Sequence, residues 1–564
     1  MHRMFSKVDG LNARRGADVL LEVLASEGVE YIFGNPGTTE LPLMDALLNA
    51  PAVKYVLALQ EATAVAMADG YAQAARQPAF LNLHTAGGLG HGMGNLLNAS
   101  VSQTPLVVTA GQQDSRHTAT DPLLFGDLVR IAEPAVKWAR EVTTADQIPI
   151  LVRRAFHDAN AAPTGPVFLS LPMDVMEELS TIGIAGRSHI DRKAVAGSLP
   201  ELAQHLAAVK AGRIAVIAGD EIYASQAAAE TVAVAELLGA PVYGSSWPSR
   251  IPFPTSHPLW AGNLPTKAKG IAEILSNYDA IFALGGKSLI TILYTEGSAV
   301  PDGCEVFQLS ADVRDLGRTY MTKLSVVGDI RASLAVLLPH LRTATHDRAA
   351  AYKARVTKAA ETRAAERRTL AKTAADQMDA PLISPLVAAQ EAVRAIGPKT
   401  PIVDEAIATS SHVRKFLNSD SPNQYSFLRG GGLGWGMPAS VGCSLGLGRE
   451  PVVCLVGDGA AMYSPQAIWT ATHEHLPVTF VVMNNREYNV LKNFMRTQSD
   501  YVSARTNRFL AMDLEDPTID YASLAASMGV AARRIERAAD IAPAIEAAIA
   551  SGTTNLIEIR ISVA

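Results

Sequence analysis

Cysteine is scarce in this chain and does not cluster: Cys304, Cys443 and Cys454 are the only three. That spacing gives neither a disulfide framework nor the paired thiols of a zinc site, and it fits a reducing, cytoplasmic setting. Long apolar runs are absent too. The longest, such as residues 478–483, are strand-sized, and residues 1–30 alternate charged with apolar side chains without the uninterrupted apolar centre of an export signal. Export and membrane spanning are therefore not expected. Nor is there an excess of positive charge: 49 Lys and Arg against 55 Asp and Glu leave a net charge of -6, so no basic footprint points to nucleic acid or an anionic membrane. No short-period repeat marks a solenoid. What is present is a large globular chain of 564 residues, 48% hydrophobic and 18% charged, enough for about three or four domains with ample core.

Apolar runs and helical stretches alternate along it. From Gly16 the pattern reads helix (18–27), strand (31–34), helix, strand (55–59), helix (62–75), strand (79–84), helix (92–102), then strands at 106–110 and 167–171. Such alternation predicts a parallel sheet with helices on both faces. A second, shorter block carries strands at 214–218, 241–243, 280–284 and 305–309 and closes near 327–328. Residues 346–377, rich in Ala, Arg, Lys and Glu without Gly or Pro, predict an exposed connecting helix. A third block begins near Ser384, with strands at 402–404, 452–456, 478–483 and 556–561. The expected architecture is α/β: three doubly wound parallel-sheet domains at 1–185, 190–345 and 381–564, with a helical linker over 346–380.

In the third block the strand at 452–456 runs into Gly457-Asp458-Gly459, and after 24 intervening residues the strand at 478–483 ends in Asn484-Asn485. Two strands thus deliver an acid and an amide to the C-terminal edge of one sheet, where open α/β sheets bind ligands. Asp458 and Asn485 are hard oxygen donors that suit a magnesium ion keeping water and phosphate oxygens as its other ligands. Gly457 and Gly459 let backbone amides approach that phosphate. Two more segments stand out: residues 57–73 place the carboxylate of Glu61 at a helix start, and residues 429–435 set Leu433 among glycines, which fits backbone against a flat ligand. Alone, Gly-Asp-Gly is a common turn and a first-turn Glu a common helix charge; their conjunction is specific.

These segments resemble the thiamin diphosphate-dependent decarboxylases and carboligases, and the likeness runs from Gly16 to Ile561. The resemblance implies that the first block binds the aminopyrimidine ring and the third holds diphosphate and magnesium. Asp458, Asn485 and the main-chain carbonyl of Glu487 are then the magnesium ligands, with the Glu487 carboxylate expected to point outward. Glu61 matches the glutamate that hydrogen-bonds the pyrimidine nitrogen so that the thiazolium carbon loses its proton. The Gly431 carbonyl accepts from the cofactor's amino group, Leu433 props the cofactor bent, and Tyr488 joins Gly457 and Gly459 in binding it.

Within the family, Gly34-Asn-Pro-Gly37-Thr38-Thr39, Asn82-Leu-His84-Thr-Ala-Gly, Gly111-Gln-Gln113 and residues 485–494 resemble the benzoylformate-decarboxylating branch. This implies decarboxylation of an aromatic or other apolar 2-oxo acid to an aldehyde, with carboligation possible. Thr38 stands where that branch has a serine that handles the substrate carboxylate, and it keeps the hydroxyl. His84 matches one of two catalytic histidines; the other falls at Ile292, which transfers no proton. His117 is the candidate substitute, the alternative being a solvated loop histidine. Val490, Leu491 and Phe494 share one helix face and match substrate-pocket positions, core packing being the other role open to each. The missing histidine keeps a carboligase or lyase of the benzaldehyde lyase, acetolactate synthase or 2-hydroxyacyl-CoA lyase type as the alternative, with no flavin site read in residues 190–330. A homotetramer, a dimer of dimers sharing its sites between subunits, is also implied, with a small 2-oxo acid or aldehyde as the substrate.

Overall fold

Three six-stranded sheets, parallel throughout, organise the computed structural model, which describes residues 13–563. The first sheet runs in the order Lys54–Leu57, Tyr31–Gly34, Ala79–His84, Leu106–Gln112, Val167–Pro172, Ala139–Glu141. In the middle sheet the order is Trp260–Asn263, Val242–Gly244, Ile214–Ala218, Ala280–Leu284, Glu305–Ser310, Leu324–Val327. The third runs Tyr425–Phe427, Ile402–Glu405, Val452–Gly457, Val478–Asn484, Asn555–Arg560, Ala531–Ile535. Arg14–Arg15 and Leu179–Ser180 add a short antiparallel pair.

The central strands are buried along their whole length and mostly apolar because helices cover both faces of each sheet: every residue of Val478–Asn484 and Leu106–Gln112 is buried. Parallel neighbours require crossovers, and these are the helices. In each sheet the chain winds one way, then reverses. The reversals lie between Tyr31–Gly34 and Ala79–His84, between Ile214–Ala218 and Ala280–Leu284, and between Ile402–Glu405 and Val452–Gly457. The crevices beyond these strand ends are where such sheets take ligands.

Four elements depart from the sequence expectations, three of them for a visible physical reason. Helix Thr85–Val101 begins seven residues before the expected 92 and runs straight through Gly87, Gly88 and Gly90. Packing outweighs glycine's poor helix propensity there, since a side chain at Gly88 would come within 2.9 Å of the Glu61 carboxylate. The first block also holds helix Ile148–Ala159 and strand Ala139–Glu141, and the middle block strand Trp260–Asn263. The last two are short, with exposed residues, and leave little apolar pattern to read. Helix Ala349–Ala375 lies where an exposed helix was expected and buries only Tyr352 and Ala374.

The first and third sheets are joined directly. Helices Glu61–Ala75 and Gly436–Gly446 cross with backbones in contact: side chains at Gly70 and Gly442 would collide with the carbonyls of Ala439 and Met67. Trp435 donates its indole N–H to the buried Asp69 at 2.7 Å across the same seam. Among the described residues no helix is long and apolar enough to cross a membrane.

Candidate active site

At the first sheet's reversal, strand Tyr31–Gly34 delivers Asn35 and a tight turn, while Ala79–His84 ends in His84. Glu61 opens helix Glu61–Ala75, whose start is fixed by the Gln60 side chain accepting from the Thr63 amide at 3.1 Å. Glu61 is 8% exposed; it accepts from Asn35 Nδ2 at 3.2 Å, and its other oxygen lies 3.2 Å from His91 Nδ1. Neither Asn35 nor His91 was singled out from the sequence, although Asn35 sits inside the Gly-Asn-Pro-Gly motif.

Beside this lies a second cluster. His84 Nδ1 is 2.8 Å from Glu40 Oε2 and 3.0 Å from Thr39 Oγ1, and Thr39 donates to Glu40 Oε1 at 2.8 Å. Glu40, 2% exposed, also accepts from the amides of Gly37 (2.9 Å) and Gly111 (3.0 Å). The imidazole lies so close over Gly37 that any side chain there would enter the ring. The hydrogen bond to Glu40 raises the His84 pKa above its ordinary 6.5 against the opposing pull of burial, and the charges of Glu40 and Glu61 add to the rise. Thr38 is exposed, and it is its neighbour Thr39 that meets His84. His117 is exposed on the loop after Leu106–Gln112, and its ring makes no hydrogen bond among the described residues. Ile292 is 46% exposed in the middle domain.

The third sheet presents the other half. Asp458 follows strand Val452–Gly457 and is 5% exposed; its Oδ1 accepts from the Gly459 amide at 2.8 Å and its Oδ2 from the Arg486 amide. Tyr521 donates its hydroxyl to the Asp458 carbonyl at 2.8 Å. Burial pushes the Asp458 carboxyl up to about 6, against the lowering effect of these amides. Asn485, at 7% exposure, accepts from the Glu487 amide at 3.1 Å, so the two expected donors hold one loop from either side. The Tyr488 ring covers Gly459, where a Cβ would lie 2.5 Å from it.

One expectation is corrected. The Glu487 carboxylate does not point outward: its side chain is 12% exposed and paired with Lys492, which also binds Asp513. The charge of this loop acid is thereby balanced by a lysine five residues on. Helix Asn489–Arg496 turns Asn489 and Lys492 inward, leaving Val490 and Phe494 half-buried and Leu491 49% exposed. Core packing is thus not the role of Leu491.

Residues 430–435 form the glycine loop, with Gly431 and Gly434 at φ of +79° and +93°. Its shape is set by partners distant in sequence. Asn98 from the first domain donates to the Gly432 carbonyl (2.8 Å) and accepts from its amide (2.9 Å), and Asn95 reaches the Gly434 carbonyl at 3.4 Å. Glu405 accepts from the amides of Gly434 (2.6 Å), Trp435 (3.3 Å) and Gly436 (2.6 Å), and its complete burial pushes its carboxyl up to about 7. Leu433 is half-buried, packed against the apolar cores of both the first and the third domain.

Sequence comparison agrees with this division of labour. Residues 14–130 match the N-terminal TPP binding domain of thiamine pyrophosphate enzymes, residues 199–337 their central domain and residues 408–559 their C-terminal TPP binding domain. The chain belongs to the thiamine pyrophosphate enzyme family. It is 31% identical over 546 residues to benzoylformate decarboxylase of Pseudomonas aeruginosa, covering 95% of this chain and 97% of that one. An acetolactate synthase large subunit from Corynebacterium glutamicum is 24% identical, over 94% of this chain and 84% of its own. Among solved structures, the thiamine diphosphate-dependent 4-hydroxybenzoylformate decarboxylase of Rhodococcus jostii superposes with a TM-score of 0.85 at 27% identity, over 98% of this chain and 100% of that one.

Proposed function

We propose that this enzyme decarboxylates an aromatic or other apolar 2-oxo acid to an aldehyde, using thiamin diphosphate and magnesium. The observation that carries the reading is the His84–Glu40–Thr39 cluster beside Glu61 on one sheet edge. The bound cofactor supplies an electron sink for the carbon–carbon bond next to the 2-oxo group. Glu61, oriented by Asn35 and His91, holds the proton shared with the pyrimidine nitrogen. His84, with Nδ1 committed to Glu40, keeps Nε2 for the substrate and delivers a proton to the carbon that loses carbon dioxide. Thr38 at the turn offers a hydroxyl to the substrate carboxylate, and Val490, Leu491 and Phe494 receive an apolar tail.

The third-domain loop fits the rest of the cofactor. Asp458, Asn485 and the Glu487 carbonyl would hold magnesium, with Gly457, Gly459, Tyr488, Gly431 and Leu433 against the cofactor itself. Among the described residues no group of three or more His, Cys, Asp or Glu could hold a metal; diphosphate and water would complete the ligands of a magnesium ion held by Asp458, Asn485 and the Glu487 carbonyl. A dimer of dimers with sites shared between subunits is proposed from the family to which the chain belongs.

A second reading, carboligase or lyase, is favoured by Ile292, which supplies no proton to release an aldehyde. The test is a panel of 2-oxo acids, benzoylformate included, given to the protein with thiamin diphosphate and magnesium while carbon dioxide and aldehyde are followed. Release of both from an aromatic acid is expected. Little carbon dioxide from any acid, with hydroxyketone formed from aldehydes, would replace this reading with the second. His117→Ala turning over unchanged would remove His117 from the proton relay.

A further inference from the structure

The middle sheet reverses direction as the other two do, and the ends of its strands Ile214–Ala218 and Ala280–Leu284 lead into Asp220-Glu221 and Gly285-Gly286. Asp220 and Glu221 border a cavity of about 560 Å³ between the first and middle domains, within the size range of small-molecule sites. Arg250 lines it at 3% exposure, yet its side chain has no hydrogen-bond or ion-pair partner among the described residues, and its Nε is buried and unsatisfied. Its guanidinium lies 4.4 Å from the centre of the Tyr223 ring; that of Arg76, exposed at the rim, lies 5.2 Å from it.

The acids around the cavity are already engaged. Asp220 pairs with Arg429 and accepts from the Ser249 and Arg250 amides. Glu221 accepts from Ser310 and from the Gly286 and Ala311 amides. Asp312 binds Arg314 and Gln103, and Asp329 caps the next helix. Burial raises the Asp69 carboxyl above its ordinary range against the lowering effect of its hydrogen bonds and of the Arg250 charge; Asp69 accepts from Gln73 and Trp435 and makes no contact pair with Arg250. A buried guanidinium without an anion is costly, and a planar cation against an aromatic face is well placed to take an oxyanion from its open side. Pro105, Pro163 and Ile190 make the adjoining wall apolar.

We propose that this cavity binds a small organic anion, its oxyanion head between Arg250 and Arg76 at the Tyr223 ring and its apolar body along Pro105, Pro163 and Ile190. Carboxylate and phosphonate heads share that chemistry. The site is separate from the Glu61 and Asp458 clusters and stands whatever reaction they perform.

The experiment is calorimetric titration of the holoenzyme with 4-phenylbutyrate, benzylphosphonate and the neutral 4-phenylbutan-1-ol. At least one anion should bind more than tenfold tighter than the alcohol. Arg250→Met should weaken that binding at least tenfold and Arg76→Met several-fold, while Leu491→Ala, outside the cavity, leaves it unchanged and Arg250→Lys retains most of it. In the absence of probe, Arg250→Met should melt close to the unsubstituted protein, because no hydrogen-bonded or ion-paired partner is orphaned and only the Tyr223 ring contact and the more distant charge on Asp69 are lost; a much lower melting point assigns Arg250 a structural role and overturns the proposal. If Arg250→Met does not fold, the Arg76→Met and Arg250→Lys titrations decide. Anions binding no better than the alcohol, or equally well to Arg76→Met, also overturn it.

Discussion

Nδ1 of His84 is held by Glu40 and Thr39, and this division of the ring makes a residue-scale prediction with a definite sign. Because the hydrogen bond to Glu40 raises the His84 pKa above 6.5, the imidazolium persists to higher pH than a free histidine. The ion pair's contribution to stability is accordingly complete below 6.5 and is lost as pH rises through the raised value. If His84 is the proton donor, activity falls over that same window. Glu40→Gln removes the main cause of the rise, so the alkaline limb of the kcat/KM profile should move to lower pH while cofactor affinity, read by fluorescence quenching, holds. His84→Ala should cost about a hundredfold or more in kcat/KM, the usual weight of a positioned acid or base. An alkaline limb unmoved by Glu40→Gln would separate Glu40 from the proton step. The placement of the candidate acids and amide was legible because each is announced by its own segment: Glu61 by a helix start, Asp458 and Asn485 by strand ends. Glu40 and Thr39 were not singled out, since what makes them functional is contact with a histidine 44 and 45 residues away, which no local pattern records.

At the scale of elements, helix Asn489–Arg496 shows why pattern and placement diverge. Its apolar residues Val490, Leu491 and Phe494 share a face, but that face is only partly covered, with Leu491 exposed and Val490 and Phe494 half-buried, while the polar Asn489 and Lys492 are turned in. Periodicity gives the face and not its direction; direction here is set by Lys492, whose ammonium meets Glu487 and Asp513. Long strands were legible for the opposite reason: a strand buried on both faces is an unbroken apolar run whatever its neighbours are. The start of helix Thr85–Val101 was not legible because glycines argue against a helix, while one of them, Gly88, serves a contact with Glu61 from a different element. Lys492→Met tests the element-level account. It leaves Glu487 without its cation in a poorly hydrated place, a change that costs roughly 3 kcal/mol when one member of a buried pair is removed. A lower urea midpoint is expected, with most of the loss recovered in the Lys492→Met, Glu487→Met double variant. A double variant no better than the single one would mean that Lys492 acts through Asp513 or through packing instead.

The whole molecule depends on how the first and third sheets are held together, because each carries one of the two candidate clusters and the glycine loop is shaped by both. Asn98 grips that loop from the first domain, Glu405 grips it from the third, and the crossing of helices Glu61–Ala75 and Gly436–Gly446 fixes the distance between the two grips. The crossing is closer than side chains permit. A methyl group at position 442 would meet the Met67 carbonyl, which is backbone within a helix and has no rotamer to escape to. Gly442→Ala must therefore push the helices apart, at a cost of roughly 1–3 kcal/mol or more for a core overpacked in this way. The strain should appear at both ends of the seam at once: amide exchange should quicken in residues 61–75 and 436–446, and Trp435 fluorescence should shift as its bond to Asp69 lengthens. Cofactor affinity should fall although residue 442 touches neither half-site. Truncating the neighbouring side chain, Met67→Ala, should not rescue the variant, since the obstacle is the carbonyl and not the thioether. Wild-type exchange rates and Trp435 emission in Gly442→Ala would show that the helices tolerate a wider crossing, and the seam would no longer account for the placement of the glycine loop.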